Sequence, residues 1–364
     1  MLAEQPTRIL VVDDSALYRQ TLKNTLRGLA ETEVVGIAKN GKDALEKIEQ
    51  LDPDVLTLDV EMPDMNGIDV LREMKRRNLR CRAIMVSSFT SEGAQITTDA
   101  LLEGAFDFIL KPSGGDPEAN RQRLLAELTE KIEAFRHTER RTKRKRTRPT
   151  TLPGSDGAEL DLESTPNPQA SCQAVLIGVS TGGPAALKMV LPRIPADFPV
   201  PILVVQHMAA HFTTSLAKRL DELCDVRVME ASDDMDIQAG TVVIAPGGKQ
   251  TKILSQGQRV FAQTTDDPPE NNCRPAVDYM FRSASAVWEG NVLGVILTGM
   301  GRDGTQGCQN LKAKGGYVFA QAEDGCVVYG MPKAVIEEGL ADRVLPFGKI
   351  APAIVRHVKR SRRV

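Results

Sequence analysis

Ser180 lies where this chain could expose a nucleophilic hydroxyl. The apolar run 175–179 predicts a buried strand, which ends in a glycine turn with the spacing Gly178-Val179-Ser180-Thr181-Gly182. Pro184 then begins a predicted helix, because proline costs least in the first helical turn. Such a turn lifts a serine above the sheet edge, beside backbone N–H groups that can bind an anion. The turn is compatible with a nucleophile or a phosphate cradle, but the Gly-Lys-Ser/Thr of a nucleotide P-loop does not follow.

Two more residues could complete this chemistry. His207 follows a predicted strand at 202–205, and Asp303 follows a predicted strand at 292–298. Parallel α/β sheets bind ligands at the carboxyl ends of their strands, so we expect Ser180, His207 and Asp303 to meet in one site. An imidazole can accept the serine proton near neutral pH, and a carboxylate holds that imidazole in the required tautomer.

The order of these residues along the chain narrows the choice of enzyme class. Ser, His, Asp differs from the Ser, Asp, His order of α/β-hydrolases, so an ordinary esterase of that fold is not predicted. N–H groups of the turn at Thr181 and of the glycine loop around Met300 could bind the oxyanion. A metal pair of His207 and His211 is disfavoured, because the H-E-x-x-H glutamate is absent.

The first part of the chain places different polar residues at strand ends. Asp13 and Asp14 follow a strand at 8–12, and Asp59 follows a strand at 54–58. Three converging carboxylates repel one another unless a cation neutralises them, and such hard oxygen ligands suit Mg²⁺. Aspartate can also attack phosphorus and form an aspartyl phosphate. Ser87 and Lys111 end the next two strands, where a hydroxyl and an ammonium could stabilise a phosphoryl group.

The remaining periodicity predicts an α/β fold in both halves of the chain. In the first half, the strands are followed by helices, which predicts a parallel sheet covered on both faces. Further predicted segments are strands at 34–38, 81–87, 106–110 and 241–245, and helices at 15–29, 41–51, 91–102, 118–135, 185–191, 212–223, 275–287 and 305–314. The second half is predicted to be a doubly wound, mostly parallel sheet.

The predicted domains are 1–135 and 172–364, joined by a flexible charged linker at 136–171. The basic run from Arg136 to Arg148 favours a solvated continuation of the preceding helix over a binding segment, and the basic tail 359–363 is interpreted in the same way. The net charge of −2 gives no overall attraction to nucleic acid or membranes. Six scattered cysteines and the lack of a signal peptide or membrane span predict a reduced, cytoplasmic protein.

The first domain resembles the receiver domain of two-component response regulators. The resemblance rests on the segments 11–15, 58–63, Ser87-Ser88 and Lys111-Pro112. It implies a flavodoxin-like (βα)5 fold, with Asp59 as phosphoacceptor, Asp13, Asp14 and Asp59 around Mg²⁺, and Ser87 and Lys111 at the phosphoryl group. It further implies that Phe108 is the switch aromatic and that the Lys111–Pro112 bond is cis.

The second domain resembles the catalytic domain of the chemotaxis protein-glutamate methylesterases. The matching segments are 178–184, 206–208, 212–217, 273–278 and 298–304, while Lys249 replaces a histidine found in many relatives. The resemblance implies a Ser180, His207, Asp303 triad that needs no cofactor, with Thr181 and Met300 shaping the oxyanion site.

Together the two resemblances imply a phosphorylation-activated hydrolase for sensory adaptation. Its substrates would be glutamate methyl esters, and also glutamines, on membrane-bound chemoreceptors, and a chemotaxis histidine kinase would be its phosphodonor. Nucleic acid is not an expected partner, because no helix-turn-helix is evident. The alternatives are a response regulator whose second domain only binds a partner, and a hydrolase of small esters.

Overall fold

The structure, a computed structural model, describes residues 5–88, 90–112, 114–147, 160–161 and 171–361. The chain divides into two compact units, residues 1–147 and 148–364. Each unit is built around its own parallel sheet. The two units are described separately below.

The first unit contains a five-stranded parallel sheet in the order β2-β1-β3-β4-β5. This is the flavodoxin-like order, in which ligands bind where the strand order reverses. Its strands are β1 (Thr7–Val12), β2 (Thr32–Ala38), β3 (Val55–Asp59), β4 (Arg82–Ser87) and β5 (Asp107–Leu110). Its helices are α1 (Ala16–Arg27), α2 (Gly41–Leu51), α3 (Gly67–Arg76), α4 (Ser91–Glu103) and α5 (Pro117–Thr147).

The helix boundaries of the first unit follow from local capping. Ser15 accepts a hydrogen bond from the N–H of Tyr18 and caps α1, as its position in the sequence predicts. Asn66 caps α3 in the same way, but no helix was predicted there from the sequence. Helix α5 extends to Thr147, beyond the predicted end at residue 135. The basic run is therefore a helical continuation through Thr147, as favoured from the sequence.

The second unit contains an eight-stranded sheet in the order β6-β16-β15-β14-β7-β8-β11-β9. Among the described residues its pairings are all parallel except that of β6 with β16. The strands of this sheet are β6 (Leu160–Asp161), β7 (Ala174–Val179), β8 (Ile202–Gln206), β9 (Arg227–Glu230), β11 (Thr241–Ile244), β14 (Val292–Ile296), β15 (Tyr317–Gln321) and β16 (Arg343–Leu345). The helices are α6 (Gly183–Val190), α7 (Phe212–Asp221), α8 (Val277–Val287), α9 (Thr305–Ala313), α10 (Met331–Glu337) and α11 (Ile350–Ser361).

A separate antiparallel sheet was not predicted from the sequence. It consists of β10 (Met235–Asp236), β12 (Gln250–Gln256) and β13 (Arg259–Thr265) in the order β10-β13-β12. Strands β12 and β13 form a hairpin around Gly257, whose φ of +63° is a conformation that glycine adopts readily. The hairpin packs on α8, where the hydroxyl of Ser283 accepts a hydrogen bond from the N–H of Ile253.

Strand β7 lies in the middle of the second sheet and is buried along its whole length. Strands that are covered on both faces carry continuous apolar runs, which is the pattern of residues 174–179. The chain winds from β7 to β8 on one side, while β14 pairs with the other side of β7. The strand order therefore reverses at β7, where a doubly wound sheet forms its ligand crevice.

Most of the predicted linker lies outside the described residues, as do Arg362 and Arg363 of the basic tail. The described part of the linker includes β6, which joins the edge of the second sheet. The rest of the tail, through Ser361, belongs to α11. None of the described helices is both long and apolar enough to cross a bilayer.

Candidate active site

Ser180 and His207 follow two neighbouring strands in register. Val179 at the end of β7 pairs with Gln206 at the end of β8, and the N–H of His207 donates to the carbonyl of Val179. On the other side, the N–H of Ser180 donates to the carbonyl of Thr298, which follows β14. The turn after Ser180 needs glycine at position 182, because φ is +77° there. The strand ends of β14, β7 and β8 thus form one rim.

The imidazole of His207 and the carboxylate of Asp303 meet on this rim. Nε2 of His207 lies 2.8 Å from Oδ2 of Asp303. Both side chains are mostly buried, with 13% and 3% of their surfaces exposed. Two residues 96 positions apart in the sequence therefore form the base–carboxylate pair that the sequence predicts.

Asp303 is held by a dense set of donors from two helix ends. Its carboxylate accepts hydrogen bonds from the backbone N–H groups of Val277 at 2.6 Å, Asp278 at 3.0 Å and Gly304 at 3.0 Å. The first two belong to the first turn of α8, whose own N-cap residue, Ala276, supplies no side-chain bond. Asp303 therefore caps α8 from a distance, where the helix dipole favours a negative charge.

These bonds decide the charge on the pair. Burial alone would raise the pKa of Asp303, but the bond to His207 and the backbone donors hold it below its ordinary value. Burial alone would likewise lower the pKa of His207, but its contacts with Asp303 and Cys273 raise it to about 9. The structure thus holds an ionised aspartate against an imidazole with a strong affinity for its proton.

The second imidazole nitrogen faces Cys273 in this arrangement. Sγ of Cys273 lies 3.6 Å from Nδ1 of His207. The hydroxyl of Ser180 makes no hydrogen bond with any residue in the described part of the chain. The serine–histidine link of the expected triad is therefore not formed, although both residues follow paired strand ends. Catalytic hydrogen bonds are often long or unformed in free enzymes.

The oxyanion candidates lie next to Ser180 on the β14 side. The Thr298 hydroxyl donates to the carbonyl of Thr181 at 3.0 Å, which fixes the serine turn against the loop after β14. The backbone N–H of Met300 donates to no other residue in the described ranges, so it is available to a ligand. A side chain at position 299 would place its Cβ 2.8 Å from the Cβ of Ser180. Only glycine therefore fits between the two oxyanion candidates, the turn at Thr181 and the N–H of Met300.

Three supporting residues were not identified as such from the sequence. The buried amide of Gln206 donates to the carbonyl of Ser180 at 3.0 Å and holds the turn. Asn271 donates to Asp278 at 2.8 Å and to Asp303 at 3.0 Å, bridging two buried carboxylates. Cys273 belongs to a segment used only for the family resemblance. No local pattern marks these residues, because their partners are distant in the sequence.

The first unit gathers its predicted carboxylates at the equivalent edge of its own sheet. Carboxylate oxygens of Asp13, Asp14 and Asp59 all lie within 4.8 Å of one another. Nζ of Lys111 lies 2.8 Å from Oδ2 of Asp13 and 2.8 Å from Oδ2 of Asp59. Three carboxylates against one ammonium leave an excess of negative charge, and this all-oxygen donor set fits Mg²⁺.

The charges of this cluster shift its pKa values. Burial raises the pKa of Asp59 to about 6, although the bond to Lys111 acts in the other direction. Burial alone would lower the pKa of Lys111, but hydrogen bonds to Asp13 and Asp59 outweigh it and raise the pKa. Lys111 therefore remains charged beside an aspartate that ionises at a cost.

Three further predictions for the first unit concern Ser87, Phe108 and the Lys111–Pro112 bond. The Ser87 hydroxyl is fully buried and lies 3.2 Å from the carbonyl oxygen of Ser88 and 3.3 Å from that of Gly93. Phe108 is half-buried on β5, three residues before Lys111. The Lys111–Pro112 bond is trans, contrary to the expectation from the resemblance, and the cis bond among the described residues is Arg274–Pro275.

Two further residues singled out from the sequence are His211 and Lys249. His211 precedes α7 with a φ of +68° and belongs to neither of the clusters of three or more potential metal ligands among the described residues. Lys249, which replaces a histidine of many relatives, pairs with the exposed Asp266 at 2.6 Å.

The two sheets and their rims define a class of protein, a receiver domain combined with a hydrolase domain. The family model for the response regulator receiver domain matches residues 9–123. The family model for CheB methylesterase matches residues 175–354. The two models thus match the two units separately.

Full-length relatives identify the family. A protein-glutamate methylesterase/protein-glutamine glutaminase of Desulfotalea psychrophila is 46% identical over 97% of this chain and 98% of its own length. A relative of the same name from Thermotoga maritima is 43% identical over 98% of this chain and 100% of its own. The crystal structure of the Thermotoga maritima CheB methylesterase catalytic domain matches with a TM-score of 0.50 and 46% identity, covering 51% of this chain and 98% of that one.

The chain therefore belongs to the CheB family of protein-glutamate methylesterases/protein-glutamine glutaminases, which are hydrolases with a response-regulator receiver domain. The family resemblance, the fold class and the hydrolase interpretation are confirmed. These findings support the esterase hypothesis over a second domain that only binds a partner.

Proposed function

We propose that this protein hydrolyses glutamate methyl esters on chemoreceptors, releasing methanol, and deamidates receptor glutamines at the same site. The observation that carries the proposal is the 2.8 Å bond between His207 and Asp303, on the strand rim that also holds Ser180. A base–carboxylate pair next to a serine on a glycine turn is the minimum set for nucleophilic acyl transfer.

In the proposed reaction, Ser180 is the nucleophile and His207 is its base. Because Nε2 of His207 donates to Asp303, Nδ1 is the nitrogen left to accept the serine proton. The two nitrogens thus exchange the roles that they have in serine proteases of the chymotrypsin type. Asp303 stabilises the imidazolium that forms, and its backbone donors keep its own charge in place.

The tetrahedral intermediate needs donors for its oxyanion. The N–H of Met300 supplies one and the turn at Thr181 supplies the other. His207 then gives the proton to the leaving oxygen, which departs as methanol, or to the amide nitrogen, which departs as ammonia. Water hydrolyses the acyl-enzyme in a second, equivalent step.

We propose that the first unit controls this reaction through phosphorylation of Asp59 by a chemotaxis histidine kinase. Asp13, Asp14 and Asp59 would hold Mg²⁺, which when bound offsets the negative charge of the carboxylates and the phosphoryl group. Lys111 is positioned to contact a phosphoryl oxygen, since its ammonium already bridges Asp13 and Asp59. Ser87 would also bind the phosphoryl group, and Phe108 would be the switch aromatic.

The proposed regulation is a shift between two populations. Without phosphorylation, the less active state of the esterase predominates. Phosphorylation of Asp59 shifts the equilibrium toward the active state. The protein acts in the cytoplasm and reaches membrane-bound receptors only from their periphery.

The decisive experiment measures methanol release from a methylated receptor fragment by the full-length protein. We expect Ser180→Ala to lower the rate by at least 1,000-fold, because the nucleophile is lost. A small phosphodonor with Mg²⁺ should accelerate wild type but not Asp59→Asn. If Ser180→Ala keeps its activity, the proposed mechanism is wrong.

The same assay separates the remaining alternatives. Turnover of small esters at the rate of receptor fragments would favour a general esterase. Equal rates for the full chain and for residues 172–364, without phosphodonor, would show that the receiver does not inhibit.

A further inference from the structure

The candidate active site also contains the donor atoms of a soft-metal site. His207, Cys273 and Asp303 offer one nitrogen, one sulfur and one oxygen within 4.8 Å of one another. A mixed set of imidazole, thiol and carboxylate is the combination that Zn²⁺ prefers in proteins. The all-oxygen cluster of the first unit, by contrast, suits only a harder ion.

The spacing of the nitrogen and sulfur atoms matches a tetrahedral zinc ion. Nδ1 of His207 and Sγ of Cys273 are 3.6 Å apart. A tetrahedral Zn²⁺ with bonds of about 2.0 Å to nitrogen and 2.3 Å to sulfur separates these two ligands by about 3.5 Å. The distance between these two atoms therefore does not have to change for them to share the ion.

Asp303 contacts the other nitrogen of the same imidazole. Zinc-bound histidines commonly donate their other ring N–H to a carboxylate, which fixes the ring and strengthens it as a ligand. Nε2 of His207 already makes this bond to Oδ2 of Asp303 at 2.8 Å. Two coordination positions of the ion remain open to water or to a hydroxyl group.

The cysteine is held in place by its own loop. Glu270 and Cys273 exchange two backbone hydrogen bonds, at 2.8 and 3.1 Å, and the amide of Gln250 donates to the carbonyl of Cys273 at 3.2 Å. Cys273 is half-buried rather than fully enclosed. Its backbone contacts thus hold the cysteine of the ligand pair in place.

We propose that Zn²⁺ binds to Nδ1 of His207 and Sγ of Cys273, with Asp303 as the outer partner, and inhibits the esterase. Binding releases two protons into solvent, one from the thiol of Cys273 and one from Nδ1 of the protonated imidazole, and forms the metal–thiolate and metal–nitrogen bonds. The ion occupies Nδ1, the nitrogen that accepts the Ser180 proton, so substrate turnover and zinc binding exclude each other. The inhibition, though not the binding, rests on the proposed function.

The test uses the full-length protein in a phosphine reductant without Mg²⁺. Wild type should lose methanol release as Zn²⁺ is added and regain it on addition of a chelator. Cys273→Ala should need at least ten times more Zn²⁺ for half-inhibition, relative to its own activity without metal. Cys224→Ala is the matched control, because Cys224 is also half-buried but belongs to no metal-capable cluster of the described residues.

A second measurement detects binding without enzyme activity. Co²⁺ should give a near-ultraviolet thiolate band in wild type and Cys224→Ala, removed by Zn²⁺ and absent in Cys273→Ala. Unchanged zinc inhibition in Cys273→Ala, or no thiolate band in wild type, would overturn the proposal. If the band forms in a protein without esterase activity, the zinc site stands and the proposed function fails.

Discussion

Asp59 and Asp303 are both buried aspartates at the strand rims of parallel sheets, yet their pKa values are shifted in opposite directions. Asp59 shares one ammonium, that of Lys111, with Asp13, and burial raises its pKa to about 6. Asp303 accepts three backbone N–H bonds and the bond from His207, and its pKa is lowered. One site is short of positive charge, and the other is saturated with donors.

The difference indicates what each site is built to do. A carboxylate in a cluster with excess negative charge gains from a cation and a phosphoryl group, so it suits a switch that is loaded and unloaded. A carboxylate saturated by fixed donors keeps its charge and orientation throughout a reaction cycle. The same sheet edge would thus support the proposed regulatory site in one unit and the proposed catalytic site in the other.

The contrast between the two aspartates would be refuted most clearly if Asp303 could be neutralised without loss of activity. We expect Asp303→Asn to lower kcat for methanol release by about 10³–10⁴-fold, because the amide cannot stabilise the imidazolium. Asp59→Asn is the matched control and should leave the activity without phosphodonor unchanged. A loss smaller than tenfold in a folded Asp303→Asn variant would contradict the proposed role.

The pH dependence of the reaction tests the protonation state of His207. The raised pKa of His207, about 9, means that the ring is protonated at neutral pH and becomes a base only as pH rises. We therefore expect kcat/KM to increase about tenfold per pH unit below pH 9 and then to level off. Rates of Ser180→Ala at each pH correct for spontaneous ester hydrolysis.

Cys273 tests the cause of that shift. Because its contact with Nδ1 helps to raise the pKa of His207, the profile of Cys273→Ala should level off at lower pH. A profile that does not move would assign the raised pKa to Asp303 alone, and a shift to higher pH would show that Cys273 lowers the pKa of His207.

The smallest expected effect concerns the stability of the first unit. Ionised Asp59 is buried beside Asp13, so Asp59→Asn should increase the free energy of unfolding by about 1–3 kcal/mol at neutral pH in a chelator. Mg²⁺ should stabilise wild type more than the variant, since the variant lacks one carboxylate ligand. Urea unfolding of both proteins, with and without Mg²⁺, measures the two effects, and a destabilised variant would refute the charge argument.

Local patterns were sufficient to predict much of this molecule. Apolar runs before Asp59, Ser180 and His207 predicted the strands, and these three side chains lie at the strand rims as predicted. The antiparallel sheet of β10, β12 and β13 was missed, because its strands are only partly buried and their apolar residues alternate weakly. The extent of α5 was underestimated because its charged second half has little apolar periodicity.

Local sequence patterns were enough to predict which residue types stand at the carboxyl ends of the strands, since strand and turn signals act over a few neighbouring positions. The three-dimensional structure was needed to show that Nε2 of His207 faces Asp303, that Cys273 faces Nδ1 and that Asp303 caps α8. These contacts join residues 26 to 96 positions apart. Packing of whole elements sets such distances, and no local pattern of residues encodes them.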